Sequence, residues 1–338
     1  MIAKTPAEVI RSDALRLIAA DGLGVAARLA MAHGISRQAA NRHLQALVQE
    51  GVLTAAGNTG ARRYQLAVLH EAIRDYPCAG LSEDAVWREV FAPLLADLPL
   101  NVREIWQYGI TEMVNNAIDH SGSAAVEVGL RRNALDTFAW VSDRGEGIFR
   151  KIQRLLKLYD PREAILELAK GKLTTDPERH TGEGIFFSSK IFDAFDIRSD
   201  RLYFRHDDRV VDVLFEHDAP TPGTQVFMRL ANATARTIKE VFDNFAAPEE
   251  FTFAKTVVPV KLAQYEGEKL VSRSQAKRLY QRFERFQTVI LDFAGVEMIG
   301  QGFADELFRV FVAAHPAVTL FATNTSASVA DMIKRVQA

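Results

Sequence analysis

Apolar residues recur three and four positions apart through the first fifty residues, the spacing of helices that each bury one face. SDALRLIAA stops at Asp21-Gly22, and GVAARLAMAHG closes on Gly34, a glycine placed to end a helix. Ser36 then offers an N-cap to SRQAANRHLQALVQEG, whose Ala39, Ala40, Leu44, Leu47 and Val48 share a face. The pattern then shortens in VLTAAGNTGARRYQLA, which predicts two strands around a turn at Asn58-Thr59-Gly60.

From about residue 82, helix-like DAVWREVFAPLLADL precedes NVREIWQYGITEMVNNAIDHS, after which AVEVGLRR and TFAWVSDRG alternate as strands. Between Ile148 and His180 lies a mostly polar stretch around one helical pattern, REAILELAKG. HTGEGIFFSSKIFDAF follows, then the strands YFRHDDRVVDVLFEH and GTQVFMRL. From about 250, strand and helix patterns alternate: KTVVPVKLA, SRSQAKRLYQRFERF, TVILDFAG, FADELFRVFVAAH, VTLFA and SVADMIKRV. The fold class expected is multidomain: a helical head, an α+β unit of helices on a mixed, mainly antiparallel sheet, and a small α/β layer. The expected boundaries are 1–78, 82–232 and 250–338.

With 338 residues there is enough chain for two or three cores. Its 41 basic and 43 acidic residues nearly cancel, but unevenly: residues 1–80 hold nine basic against six acidic, and residues 81–249 hold 21 against 28. Only the first segment therefore suggests a polyanionic partner. No apolar run approaches the roughly 20 residues that cross a bilayer, and MIAKTPAEVIRSDALRL lacks the apolar core of a signal peptide. A cytoplasmic protein with no membrane partner is expected. Cys78 is the only cysteine, which excludes an internal disulfide and a cysteine-rich zinc site.

Candidate chemistry concentrates in the middle segment. In TEMVNNAIDH, helical spacing lines up Glu112, Asn116 and His120, with Asn115 and Asp119 beside them. Such a stripe is either a site or a solvated helix face. DRGEGI at 143–148 is an acidic-glycine turn after a strand, and TGEGIFFSSK at 181–190 puts glycines at a helix start, where free N–H groups can receive an anion. Gly223-Thr224 opens a later strand. Each signal is weak alone; their order is what specifies.

That order resembles the nucleotide-binding (Bergerat) domain shared by gyrase B, heat-shock protein 90, histidine kinases, mismatch-repair ATPases and anti-sigma-factor kinases. The resemblance implies ATP and Mg²⁺ as cofactors, with Asn116 as the metal ligand and Glu112 as the residue that orients water or accepts a proton. It implies that Asp143 accepts from the adenine amino group, that Gly145, Gly147 and Ile148 approach base and sugar, and that Thr224 supports the adenine site. Thr181, Gly182, Glu183, Gly184, Ile185 and Phe186 would hold the phosphates, and Asn115 and Asp119 would complete the site. Asp119 follows the gyrase and mismatch-repair pattern, whereas His120 follows the anti-sigma kinases, and the stretch does not choose between them. Residues 149–180 fall where the family has its lid, with Lys170, Lys172 and Arg179 as candidates to meet the γ-phosphate.

The first segment resembles a winged helix-turn-helix. DNA is then the implied partner, read by Ser36, Arg37, Gln38, Asn41 and Arg42 on the second helix and by Arg62 and Arg63 on the wing. A helical protein-interaction module is the alternative. TVILDFAGVEMIGQGFADELF resembles STAS-like domains and anti-sigma-factor antagonists, but Gly300-Gln301-Gly302 stands where those antagonists carry a phosphorylated serine; Ser326 and Ser328 remain elsewhere. Arg273, Lys277, Arg278, Arg282 and Arg285 are expected to form a solvated basic face. Three activities follow: an ATP-responsive DNA-binding regulator with slow hydrolysis, a serine/threonine kinase acting on a partner protein, or an ATPase driving an assembly cycle. A homodimer is expected of a winged head.

Overall fold

The computed structural model describes residues 5–57, 62–173, 182–207, 210–246, 253–264 and 268–338. The head consists of α1 (Pro6–Ala20), α2 (Val25–His33), α3 (Arg37–Gln49) and the antiparallel pair β1 (Leu53–Ala56) and β2 (Arg63–Leu66). Thr5 opens α1 with a capping box, and Ser36 caps α3 by accepting from the Ala39 N–H at 3.1 Å. Gly34, with φ +62°, turns the chain between α2 and α3. Ala14, Leu29, Ala40, Leu44 and Tyr64 close a separate small core, against which Ala134 and Leu135 of the central unit also pack. The expected turn at 58–60 lies outside the described residues.

The segment expected to close at residue 78 ends in β3 (His70–Pro77), which pairs antiparallel with β4 (Ala125–Arg132). HEAIRDYP carries no clean apolar alternation, as suits an edge strand whose side chains are mostly exposed. Between them run α4 (Glu83–Val86), a π-turn at Trp87–Phe91, α5 (Ala92–Leu94) and the long α6 (Leu100–His120). Next come β5 (Asp136–Asp143), α7 (Ile148–Leu156), α8 (Glu163–Lys170), α9 (Gly184–Ile191), β6 (Ala194–Asp207), β7 (Val210–Ala231) and α10 (Ile238–Phe245). The sheet order is β3-β4-β5-β7-β6, with every pairing antiparallel.

One face of that sheet is apolar and covered. Val126, Val128, Leu130, Ala139, Val141, Val226 and Met228 meet Ile105, Trp106, Ile110, Met113, Val114 and Ala117 of α6. At roughly 1.5–3 kcal/mol for each large side chain buried, this contact fixes which way α6 is rotated. Its polar stripe is left at the layer's end, over β5 and β7. Buried Arg132 donates to both oxygens of Asp97, at 2.7 and 2.6 Å, and to the Leu94 carbonyl at 2.8 Å, tying the sheet to α5.

The C-terminal layer has β8 (Lys255–Pro259), a 3₁₀ turn at Val260–Ala263, α11 (Arg273–Tyr280), a 3₁₀ turn at Phe283–Arg285 and β9 (Thr288–Asp292). It continues through α12 (Gln301–Asp305), a π-turn at Glu306–Phe311, α13 (Val312–Ala314), β10 (Thr319–Thr323) and α14 (Ala327–Gln337). Its sheet is parallel, in the order β10-β9-β8. Among the described residues, no helix is long and apolar enough to cross a membrane.

Candidate nucleotide pocket

A cavity of about 290 Å³ opens where α6, the end of β5, the Thr224–Val226 part of β7, the 147–173 stretch and the start of α9 converge. This is at the lower end of small-molecule sites. Glu112, Asn116 and His120 line it together, as their four-residue spacing predicts, beside Met113, Ala117 and Ser121. Asn115 is turned about 100° from Asn116 around the helix and lines a shallower hollow with Glu83, Asp84 and Tyr108. Asp119 is exposed and does not line the cavity.

Asp143 lies at the end of β5, buried against the cavity floor. Its Oδ1 accepts from the Gly145 N–H at 2.8 Å and from the Thr224 N–H at 3.3 Å. Burial raises its pKa above the ordinary carboxylate value, and these hydrogen bonds, together with one to the Thr224 side chain, oppose the rise. Thr224 in turn accepts the Ile148 N–H at 3.0 Å, joining β7 to the first turn of α7. The β6–β7 register shifts at Ser199/Asp200, next to the Ser199–Thr224 pair, and such a shift re-aims the strand end toward the site. Gly223 is required here. Its φ is +65°, and a Cβ would come within 2.1 Å of the Asp143 carbonyl oxygen.

The glycine-rich start of α9 closes the far side. Gly182, Gly184, Ile185 and Phe186 line the cavity, and a Cβ on Gly184 would fall 2.0 Å from Glu112 Oε2. The Glu112 carboxylate therefore sits against the positive end of α9. Glu183 caps that helix without lining the cavity, and Gly145 packs against the Ser121 carbonyl instead of facing inward. Thr181 and Arg179 lie outside the described residues.

Two expected phosphate-binding lysines point elsewhere. Lys170 is fully buried, with Nζ 2.5 Å from Glu167 Oε1 and 2.9 Å from the Gln281 carbonyl. Lys172 donates to the Arg285 carbonyl at 3.0 Å and lies over the rings of Phe253 and Phe286. This stretch faces two ways: Leu168 and Leu173 line the cavity, while Lys170 and Lys172 reach the C-terminal layer. Among the described residues, Lys151 lines the cavity; it donates to the His120 carbonyl at 2.6 Å, and its pKa is lowered by burial. The sequence reading missed it because it passed over α7, although FRKIQRLL carries helical spacing and buries Phe149 and Ile152.

The basic stretch at 273–285 is likewise not one solvated face. Arg278 donates to the Ala263 carbonyl at 2.8 Å, and Arg282 donates to Glu167 Oε2 at 2.7 Å. Ser326 caps α14 and donates to the Glu297 carbonyl. In the head, Arg37, Gln38, Asn41 and Arg42 are exposed along the early turns of α3, and Arg63 is exposed on β2. Arg62 is half-buried over the Tyr64 ring, at 5.4 Å from its centroid, and Ser36 spends its hydroxyl on the cap. No functionally curated protein matches the chain. Residues 275–330, from α11 into α14, match the family described as "STAS-like domain of unknown function (DUF4325)", so this part of the chain is a STAS-like domain.

Proposed function

We propose that the protein is an ATP-binding, slowly hydrolysing DNA-binding regulator, in which Mg²⁺-ATP in the cavity favours one arrangement of a winged helix-turn-helix head. The observation that carries the ATP reading is Asp143: a buried carboxylate on the cavity floor, held by two backbone N–H groups. A fixed acceptor there favours a 6-aminopurine, because guanine presents a carbonyl at that position in place of the donor. The donor set fits the rest of a nucleotide. Asn116 offers one carboxamide oxygen to Mg²⁺, which takes few protein ligands beside phosphate oxygens and water. Lys151 and the α9 N-terminus supply positive charge and N–H donors for the phosphates. Bound Mg²⁺ would neutralise phosphate charge, and Glu112 would orient the attacking water.

The regulator is favoured over a kinase or an assembly ATPase by the head. Among the described residues, Arg37, Arg42 and Arg63 form no ion pair, whereas Arg11 pairs with Glu50 on the same unit. In this reading a homodimer presents two such heads to double-stranded DNA. ATP changes DNA binding only as far as its affinity differs between the two arrangements.

Calorimetry with ATP, GTP and Mg²⁺ tests the reading. ATP is expected to bind, with GTP at least about tenfold weaker, the cost of one mismatched polar contact. Asn116→Ala should weaken Mg²⁺-ATP binding, while Glu112→Ala should abolish turnover and leave nucleotide bound. No ATP uptake at millimolar concentration would overturn the reading, and a DNA mobility shift indifferent to ATP would remove its regulatory half.

A further inference from the structure

We propose that Arg282, in the STAS-like domain, is a positioning residue for the nucleotide pocket: it sets the pocket wall at Leu168 and Leu173 through Glu167 and the Lys172 carbonyl. The inference rests on the nucleotide reading above and adds a control that reading does not contain.

The wall is a short run of chain held from behind. Leu168 and Leu173 line the cavity, and several groups between and beside them are held by residues of the C-terminal layer. Arg282 divides its guanidinium between Glu167 Oε2, at 2.7 Å, and the Lys172 carbonyl, at 2.5 Å. Arg285 donates to that same carbonyl at 3.1 Å and receives the Lys172 ammonium on its own carbonyl. The Lys170 carbonyl accepts from Thr256 of β8 at 2.7 Å, and the Lys170 ammonium reaches the Gln281 carbonyl. One residue beyond the gripped carbonyl, the Leu173 N–H donates to the Gly182 carbonyl at 3.0 Å. The path from Arg282 to the glycine turn of the pocket therefore passes through two hydrogen bonds and one peptide unit.

Packing follows the same route. A Cβ on Gly171 would lie 2.7 Å from the Phe253 ring and 3.0 Å from the Phe186 ring. Phe186 lines the pocket, Phe253 packs against it at a tilt with 4.7 Å between centroids, and Phe286 of the STAS-like domain meets Phe253 edge-on at 5.4 Å. The carboxylate and the ammonium behind the wall are dry: Glu167 and Lys170 are almost wholly buried. Arg282 itself holds φ +68°, a left-handed backbone that a non-glycine residue adopts at a cost and that the surrounding contacts must maintain. The planar guanidinium at this position spans two acceptors set apart from each other with donors in a fixed fork; an ammonium is a single compact point of donors and cannot reproduce that span. Because coupling is reciprocal, filling the pocket must also alter the grip on Arg282.

The test uses the full chain with ATP and Mg²⁺ in calorimetry, and amide hydrogen exchange at Leu173 and residues 182–186. Arg282→Gln should raise the ATP Kd by about tenfold, inside the range of coupling between sites, and speed exchange at Leu173. Arg282→Lys should fall between, and Arg285→Gln, on an exposed side chain, should give about a twofold to threefold loss. Arg273→Gln is the control, since that guanidinium faces Asp305 at the surface. If Arg282→Gln does not fold, Arg282→Lys and Arg285→Gln carry the test. Unchanged ATP affinity and unchanged Leu173 protection in folded variants would overturn the proposal. If the wild-type chain takes up no ATP, the nucleotide reading fails and this proposal with it; if it binds ATP and the variants match it, this proposal alone fails.

Discussion

Arg37, Arg42 and Arg63 of the head and Lys170, Lys172 and Arg282 behind the cavity wall are indistinguishable as sequence: cations among apolar residues at helical or strand spacing. Their surroundings are opposite. The first three are exposed, with no carboxylate partner among the described residues, so water and any polyanion compete for them on equal terms. Behind the cavity wall, Lys170 shows no exposed surface, Glu167 joins both Lys170 and Arg282, and carbonyls from two domains take further donors. The lesson is that a charge speaks for a partner only when its own fold leaves it unpaired. Charges satisfied internally are structural, and disturbing them moves whatever they hold.

The sharpest way to break this comparison is Glu167→Ala. It leaves two buried cations facing each other without their shared carboxylate, and removing one partner of a buried ionic cluster typically costs about 3–5 kcal/mol. The chain should unfold at a visibly lower urea concentration, with loss concentrated in the cavity wall and the STAS-like domain. Burial already lowers the Lys170 pKa, against the opposing pull of Glu167. Glu167→Ala therefore removes the carboxylate that favours its charged form at contact distance. A stability change below about 1 kcal/mol would mean that the cluster is wet and the distinction between the two regions false.

The exposed end of the comparison predicts the reverse pattern. Arg37→Ala and Arg42→Ala should each change stability by no more than about 0.5 kcal/mol and weaken DNA binding by about 1–3 kcal/mol, read by mobility shift beside thermal unfolding. Arg63→Ala on the wing should weaken binding without regard to sequence and reduce the salt slope by about one. Variants that unfold the head, or leave DNA affinity untouched, would place these arginines with the structural charges.

How much of this was legible in advance depended on whether a residue's role is set by its own element. The helices of the head, the alternation in AVEVGLRR and TFAWVSDRG, and the alternating layer after 250 follow from local spacing, and the structure has them. So does the meeting of Glu112, Asn116 and His120, which one helix settles. Asp143 and Thr224 come from strands far apart in sequence, and only the resemblance placed them together. Lys151 was missed with α7, and β3 was missed because an edge strand shows no buried alternation. Lys170 and Lys172 were misplaced for a different reason. Their partners, Gln281 and Arg285, lie more than a hundred residues onward in another domain, and no local pattern reports such a contact.

Asp143 lies between the two extremes and gives the smallest expected effect. It is buried like the charges behind the cavity wall, yet its partners are N–H groups and a hydroxyl, with no cation among the described residues. Its folded pKa is raised, so the folded chain binds its proton more readily than the unfolded chain does. The stability it contributes is fully present below the ordinary carboxylate value and is lost as pH rises through the raised one. At neutral pH the ionised carboxylate thus costs folding free energy, and Asp143→Asn, which still accepts from Gly145 and Thr224, should leave the chain as stable or up to about 1 kcal/mol more stable. Nucleotide uptake should run the other way. If the cavity takes adenine as proposed, protonation turns one acceptor oxygen of Asp143 into an O–H donor, as the amide does in Asp143→Asn, so ATP affinity should fall as pH drops through the raised pKa and Asp143→Asn should weaken ATP binding without losing stability. Thermal unfolding and calorimetry across pH 4–8 read both arms. A variant that lost stability and ATP together would put Asp143 with the structural charges behind the cavity wall, and its acceptor role at the pocket would then have no support.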